Sequence, residues 1–146
     1  MRQAIIVDID GTLANCDARR KAAMKKNGKL DWSIFPVGME NDPVNEWCRD
    51  IIEKYKMDTS IILVSGRSDN YREVTVDWLE DFSYYDYLYM RKTGDYRQDT
   101  IVKQEIYDEY IKGKYDILFC IDDRKSVVDM WRANGLVCLQ CADGNF

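Results

Sequence analysis

No histidine occurs in the 146 residues. That absence excludes Ser-His-Asp and Cys-His catalysis, histidine general bases and Cys2His2 zinc sites. Proton transfer near neutral pH then falls to a carboxylate, cysteine, lysine, tyrosine or metal-bound water. Proline is scarce, at 2 residues, and glycine occurs only 8 times, so collagen-like and linker-like compositions are excluded. Long hydrophobic runs are also missing. Ile61 to Val64 is among the longest, and it is far too short to cross a bilayer. Four apolar residues, Ala4 to Val7, precede the first acid, too few for the apolar segment of a secretion signal. Cysteines number 5, an odd count, which argues for a reducing cytoplasmic compartment over a disulfide framework.

What is present reads as one globular domain over residues 1–146. Apolar residues make up 46% and charged residues 32%. A chain of this length buries roughly 70% of its unfolded surface and needs no staple to fold. The net charge of −5 argues against a strong general nucleic-acid binder, but it conceals an asymmetry. Arg19, Arg20, Lys21, Lys25, Lys26 and Lys29 form a run without a single acid. The remaining 15 cations face all 26 acids, a balance of −11. One basic element therefore sits on an acidic body.

Five short apolar runs predict strands at residues 3–9, 60–64, 86–90, 115–121 and 136–140. They are continuous and rich in Ile, Val and Leu, as in strands buried on both faces. Helical spacing separates them. Asp42-Pro43 predicts a helix start, with an acid as cap and proline in the first turn. Val44, Trp47, Cys48, Ile51, Ile52 and Tyr55 follow at helical spacing, as do Tyr71, Val74, Trp78, Leu79 and Phe82. A third helix runs through Ile101, Val102, Ile106 and Tyr110 behind a cap at Asp99, and a short one carries Val127, Val128 and Trp131. The alternation predicts an α/β fold: a three-layer, Rossmann-like parallel sheet of about five strands. Residues 15–41 are long and irregular and read as a small insertion or lid after the first strand.

In such sheets ligands bind beyond the carboxyl ends of the strands, so the residues there carry the chemistry. The first strand ends Asp8-Ile9-Asp10-Gly11-Thr12. Two acids at the end of a buried strand cost stability unless a cation or a reaction compensates them. Gly11 permits a tight turn that brings backbone N–H groups to the site. The second strand ends Ser65-Gly66-Arg67, a set of donors suited to phosphate. The fourth ends Asp122-Asp123-Arg124, and Lys103 lies one turn beyond Asp99.

These residues resemble the haloacid dehalogenase superfamily of phosphohydrolases. Asp8-Ile9-Asp10-Gly11-Thr12 is similar to its DxDGT motif, Ser65 to the second motif, Lys103 to the third and Asp122-Asp123 to the acidic fourth. Within it, the chain looks most like the 3′-phosphatase domain of bacteriophage-type polynucleotide kinase/phosphatase. That likeness is sharpest from Met90 to Asp99 with Lys103, and from Ile121 through Trp131-Arg132 to Gly144-Asn145-Phe146. No GxxxxGK[ST] string occurs, so the expectation is a free-standing phosphatase or a kinase on another chain.

The resemblance implies a haloacid dehalogenase fold without a large cap and a Mg²⁺-dependent phosphomonoesterase. Its substrate would be a polynucleotide 3′-phosphate, with a 2′,3′-cyclic phosphate as a second candidate. Asp8 would be the nucleophile and Asp10 the general acid and base. Asp8, the Asp10 carbonyl and Asp122 would hold the metal. Ser65, Gly66 and Lys103 would bind the phosphoryl oxygens; Asp123 would support the metal ligands, and Thr12 and Arg67 are further supporting residues. Arg19, Arg20, Lys25, Lys26, Arg91 and Arg97 are the candidates for drawing in a polyanion. A homodimer, or a separate kinase or ligase, are the partner candidates.

Blander readings stand beside these. The acids could be turn and helix caps, and the basic run a solvated helix face. Cys138 and Cys141 have CxxC spacing but lie in or after a strand, where buried structural cysteine is the better reading. Trp32 and Phe35 either pin the insertion to the body or stack on a nucleobase. Alternatives at the level of function are a small-molecule phosphatase and a non-catalytic module that holds phosphorylated ends.

Overall fold

The computed structural model describes residues 1–145; Phe146, the last residue of the C-terminal likeness, lies outside them. Five parallel strands form one sheet: β1 (Arg2–Val7), β2 (Ser60–Ser68), β3 (Tyr87–Arg91), β4 (Tyr115–Asp122) and β5 (Cys138–Gln140). Their order is β3-β2-β1-β4-β5. The chain thus leaves β1 to build one half of the sheet, then returns beside β1 to build the other. Such a reversal opens a crevice at the carboxyl ends of the central strands.

Alternation along the strands makes the two cores. Ile5, Val7, Ile61 and Leu63 pack under Cys48 and Ile52 of α2 (Glu46–Tyr55) and Trp78 and Leu79 of α3 (Arg72–Phe82). Ala4, Ile6, Ile62 and Val64 face Val102 and Ile106 of α4 (Asp99–Ile106) and Val127, Val128 and Trp131 of α5 (Lys125–Ala133). Both faces are covered, which is why the strands read as unbroken apolar runs. No large cap is found among the described residues.

Three local expectations are corrected. The helix expected from Asp42-Pro43 begins only at Glu46. Residues 42–45 instead run beside the loop after β1: Val44 bridges Ala14, and the Pro43 carbonyl accepts the Asn15 N–H at 2.8 Å. Second, β2 runs on past Val64 to Ser68. Ser65 pairs with Met90 and Ser68 with Arg91, so Gly66 and Arg67 have no partners on β3 and bulge at the sheet end. Third, residues 15–41 are not irregular throughout, because α1 (Asp17–Ala23) lies within them.

Candidate functional site

The end of β1 is pinned to β4 before any side chain is considered, because the Asp8 N–H donates to the Ile121 carbonyl at 3.0 Å. The chain then turns sharply. Gly11 adopts φ +83°, and a Cβ there would lie 2.1 Å from Asp123 Oδ2. Only glycine suits both the backbone and the space. The turn lets Thr12 Oγ1 donate to Asp8 Oδ2 at 3.1 Å.

Asp8, Asp122 and Asp123 converge here, with carboxylate oxygens within 4.8 Å of one another. Lys103 reaches between them from α4. It is only 2% exposed, and its Nζ donates to Asp8 Oδ1 and Asp122 Oδ2 at 2.9 Å each. Burial pushes the Asp8 carboxyl well above its usual range, and the neighbouring Asp122 and Asp123 add to that while Lys103 opposes it. Burial also raises Asp122, against the opposing pull of Lys103. The Lys103 ammonium, for which burial works the other way, is held charged by Asp122 and Asp8. Asp123 accepts Arg20 Nη2 at 2.8 Å.

A hard divalent cation fits this cluster. Its donors are three buried carboxylates, all oxygen, and Lys103 and Arg20 leave it with excess negative charge.

Asp10 lies two residues from Asp8 in a different environment. Arg67 Nη2 donates to it at 2.7 Å and Arg67 Nε at 3.1 Å; Arg19 Nη2 donates at 2.5 Å. Burial alone would raise this carboxyl, but Arg67 and then Arg19 outweigh burial and hold it down at about 2. Arg19 is itself gripped by Asp42, through Nε at 2.9 Å and Nη2 at 2.7 Å.

The other expected residues fall as follows. Ser65 is buried, and its Oγ accepts the Arg67 N–H at 3.1 Å. Gly66 lies against Asp99, where a Cβ would come within 2.7 Å of a carboxylate oxygen. Arg91 Nε donates to the Gly66 carbonyl at 2.9 Å and its Nη2 pairs with Asp99. Arg97 is exposed and paired with Asp95 and Glu105. Of the basic run, Arg19 turns inward, being 5% exposed, and Arg20 points to Asp123; Lys25 and Lys26 lie on the surface in the turn before Leu30. A cavity of about 810 Å³ opens over all of this, and Asp8, Ser65, Arg67, Lys103 and Asp122 line it.

Sequence reasoning misses two acids. Asp42 and Asp99 read as helix caps, yet Asp42 holds Arg19 and Asp99 holds Arg91 and Arg124. The available signal is arithmetic: Arg67, Arg91 and Arg124 stand at or just beyond strand ends, where buried guanidiniums need acids.

The five-stranded parallel sheet, with acids at the ends of β1 and β4, has the architecture of the haloacid dehalogenase-like hydrolases. The fold matches a haloacid dehalogenase-like hydrolase of Streptococcus pneumoniae with a TM-score of 0.68 at 13% identity, covering 95% of this chain and 84% of that one. More narrowly, the chain belongs to the polynucleotide kinase PNKP phosphatase domain family, whose model matches residues 2–146. A chain solved in a Pnkp1/Rnl/Hen1 complex is 36% identical with a TM-score of 0.85, covering all (100%) of this chain and 48% of that one. A protein of Autographa californica nuclear polyhedrosis virus, described as a putative bifunctional polynucleotide kinase/RNA ligase, is 37% identical over 139 residues, 89% of this chain and 18% of its own length. This chain thus spans less than half of either relative. No helix among the described residues is long and apolar enough to cross a membrane.

Proposed function

We propose that this chain removes the 3′-phosphate from polynucleotide ends, with Mg²⁺, through an aspartyl-phosphate on Asp8. The observation that carries the reading is the buried Lys103 ammonium shared by Asp8 and Asp122 on the floor of an open cavity, in a chain of this family. The relatives support a polynucleotide as substrate and a kinase or ligase as partner. One stands in a Pnkp1/Rnl/Hen1 RNA repair complex and the other is described as a polynucleotide kinase/RNA ligase. Five free cysteines support a reducing cytoplasm.

Asp8 attacks phosphorus, and the bond from phosphorus to the 3′ oxygen breaks. Asp10 gives that oxygen its proton. Water then attacks the phosphorus and passes a proton to Asp10, the bond to Asp8 breaks, and phosphate leaves. Thr12 orients Asp8 through Oδ2. Ser65, the Gly66 N–H and Lys103 hold the phosphoryl oxygens. Asp8, Asp122 and Asp123, with the Asp10 carbonyl, would hold Mg²⁺, which offsets carboxylate charge and polarises a phosphoryl oxygen when bound. In the observed conformation Asp10 is an ion-paired carboxylate, so it must part from Arg67 and Arg19 before it carries a proton. The incoming phosphate dianion competes for those guanidiniums and supplies the reason to part.

The test is a panel of 3′-phosphate, 5′-phosphate and 2′,3′-cyclic-phosphate oligonucleotides beside mononucleotides, with Mg²⁺ or with EDTA. The 3′-phosphate oligonucleotide should be turned over best, and only with the metal. Equal turnover of mononucleotides would make it a small-molecule phosphatase, and no turnover at all a binding module.

A further inference from the structure

Two aromatic side chains on the cavity rim have no place in that mechanism. Trp32 is 60% exposed and Tyr96 is 95% exposed, and both line the cavity that holds Asp8. An indole and a phenol left in water at the mouth of a site forgo the burial their rings would gain elsewhere.

Neither hangs on a loose loop, and each is braced back to the site by an arginine. Trp32 meets Phe35 edge to face, with ring centroids 5.4 Å apart at 80°. Phe35 is buried against Cys16 and Ala23. Its ring lies 4.5 Å under the Arg19 guanidinium, and its carbonyl accepts Arg19 Nη1 at 2.9 Å. The chain of contacts thus runs Trp32, Phe35, Arg19, Asp10. On the other wall, Arg91 Nη1 donates to the carbonyls on both sides of Tyr96, those of Asp95 at 3.1 Å and Arg97 at 2.5 Å. The same guanidinium holds the Gly66 carbonyl. The peptide frame of Tyr96 is therefore tied to the loop that follows Ser65, while its ring stays in water.

A rigid backbone that presents an unburied aromatic ring is the arrangement of a stacking platform, on which every nucleobase has a π-face to offer. We infer that Trp32 and Tyr96 stack on the nucleobases next to the phosphate of a bound polynucleotide end. The inference rests on the reading of a 3′-phosphatase and adds what distinguishes an end of nucleic acid from other phosphate esters. It makes the site read bases without reading sequence.

The test compares two 3′-phosphorylated oligonucleotides that differ only in whether the last two nucleotides carry bases. The wild-type chain should show a KM about tenfold or more higher for the abasic one. The pair Trp32→Leu and Tyr96→Leu should bring that ratio near one, each single variant should lie between, and Trp32→Phe should retain most of it. Because the ratio is taken within one protein, general damage to folding does not mimic the result. A wild-type ratio near one, or a ratio that survives the double substitution, overturns the inference while leaving the 3′-phosphatase intact. Failure of the wild-type chain to cleave either oligonucleotide removes the 3′-phosphatase reading and this one with it.

Discussion

Asp8 and Asp10 are separated by one residue, and their carboxyls are treated oppositely. Around Asp8 the charges do not balance: three carboxylates crowd Lys103, with Arg20 on the outer edge. Around Asp10 they do balance, with Asp10 and Asp42 against Arg19 and Arg67. Burial in the first nest pushes Asp8 and Asp122 up; in the second, burial raises Asp42 while Arg67 and Arg19 hold Asp10 down at about 2. The difference teaches where a cation belongs. The nest with excess negative charge gains from a divalent ion, while the balanced nest is complete and braces the loops around it.

The sharpest way to break this comparison is Asp8→Asn. Turnover of a 3′-phosphate oligonucleotide should fall by about 1,000-fold or more, since the proposed mechanism makes Asp8 both nucleophile and metal ligand. In metal-free buffer at pH 7 the melting temperature should hold or rise, because one crowded carboxylate is gone. Activity above a tenth of wild type would refute the covalent role.

Asp42→Ala should act oppositely, on stability first. It leaves the buried Arg19 with one acid in place of two, at a cost of about 3 kcal/mol in denaturant unfolding. A loss below about 1 kcal/mol would show that the arginine nest does not brace the fold.

The two nests also differ in their response to acid. The Asp10 pKa is depressed in the folded chain, so the stability from its pairing is present above its unfolded value near 3.8 and fades as pH falls toward about 2. Asp10→Asn should therefore cost about 2 kcal/mol at pH 7 and much less near pH 2, read as the difference in unfolding free energy from wild type. A cost that does not change with pH would mean that ion pairing is not what holds Asp10.

The smallest effect concerns the exposed part of the basic run. Since Arg19 and Arg20 are engaged with Asp10, Asp42 and Asp123, only the outer lysines are available for a fair test. Lys25→Glu with Lys26→Glu should raise KM for an oligonucleotide a few-fold and flatten its logarithmic salt dependence by about 0.7 per lost phosphate contact. An unchanged salt slope would make these lysines a solvated face.

Much of this protein is legible in the order of its residues. The apolar runs at Ile5 to Val7 and Ile61 to Val64 announce strands covered on both sides, and Asp8, Ser65 and Asp122 stand at their ends because polar residues end buried strands. Those signals are local, as hydrophobic period and turn chemistry are written within a few residues. Lys103 is also legible as a site residue, through the order of motifs and not through any local pattern.

The tertiary structure alone decided the partners of the charges. Arg67 meets an acid 57 positions away, Lys103 one 95 positions away and Arg20 one 103 positions away. No periodicity within α1 says that Arg19 points inward while the lysines after it stay in water. That choice follows from Asp42, delivered by a segment that pairs with Ala14 although its proline suggests a helix start. The bulge at Gly66 and Arg67 is likewise settled by the register against β3 and the proximity of Asp99. A charge is buried only where its opposite is brought to meet it, and that meeting is a property of the folded chain.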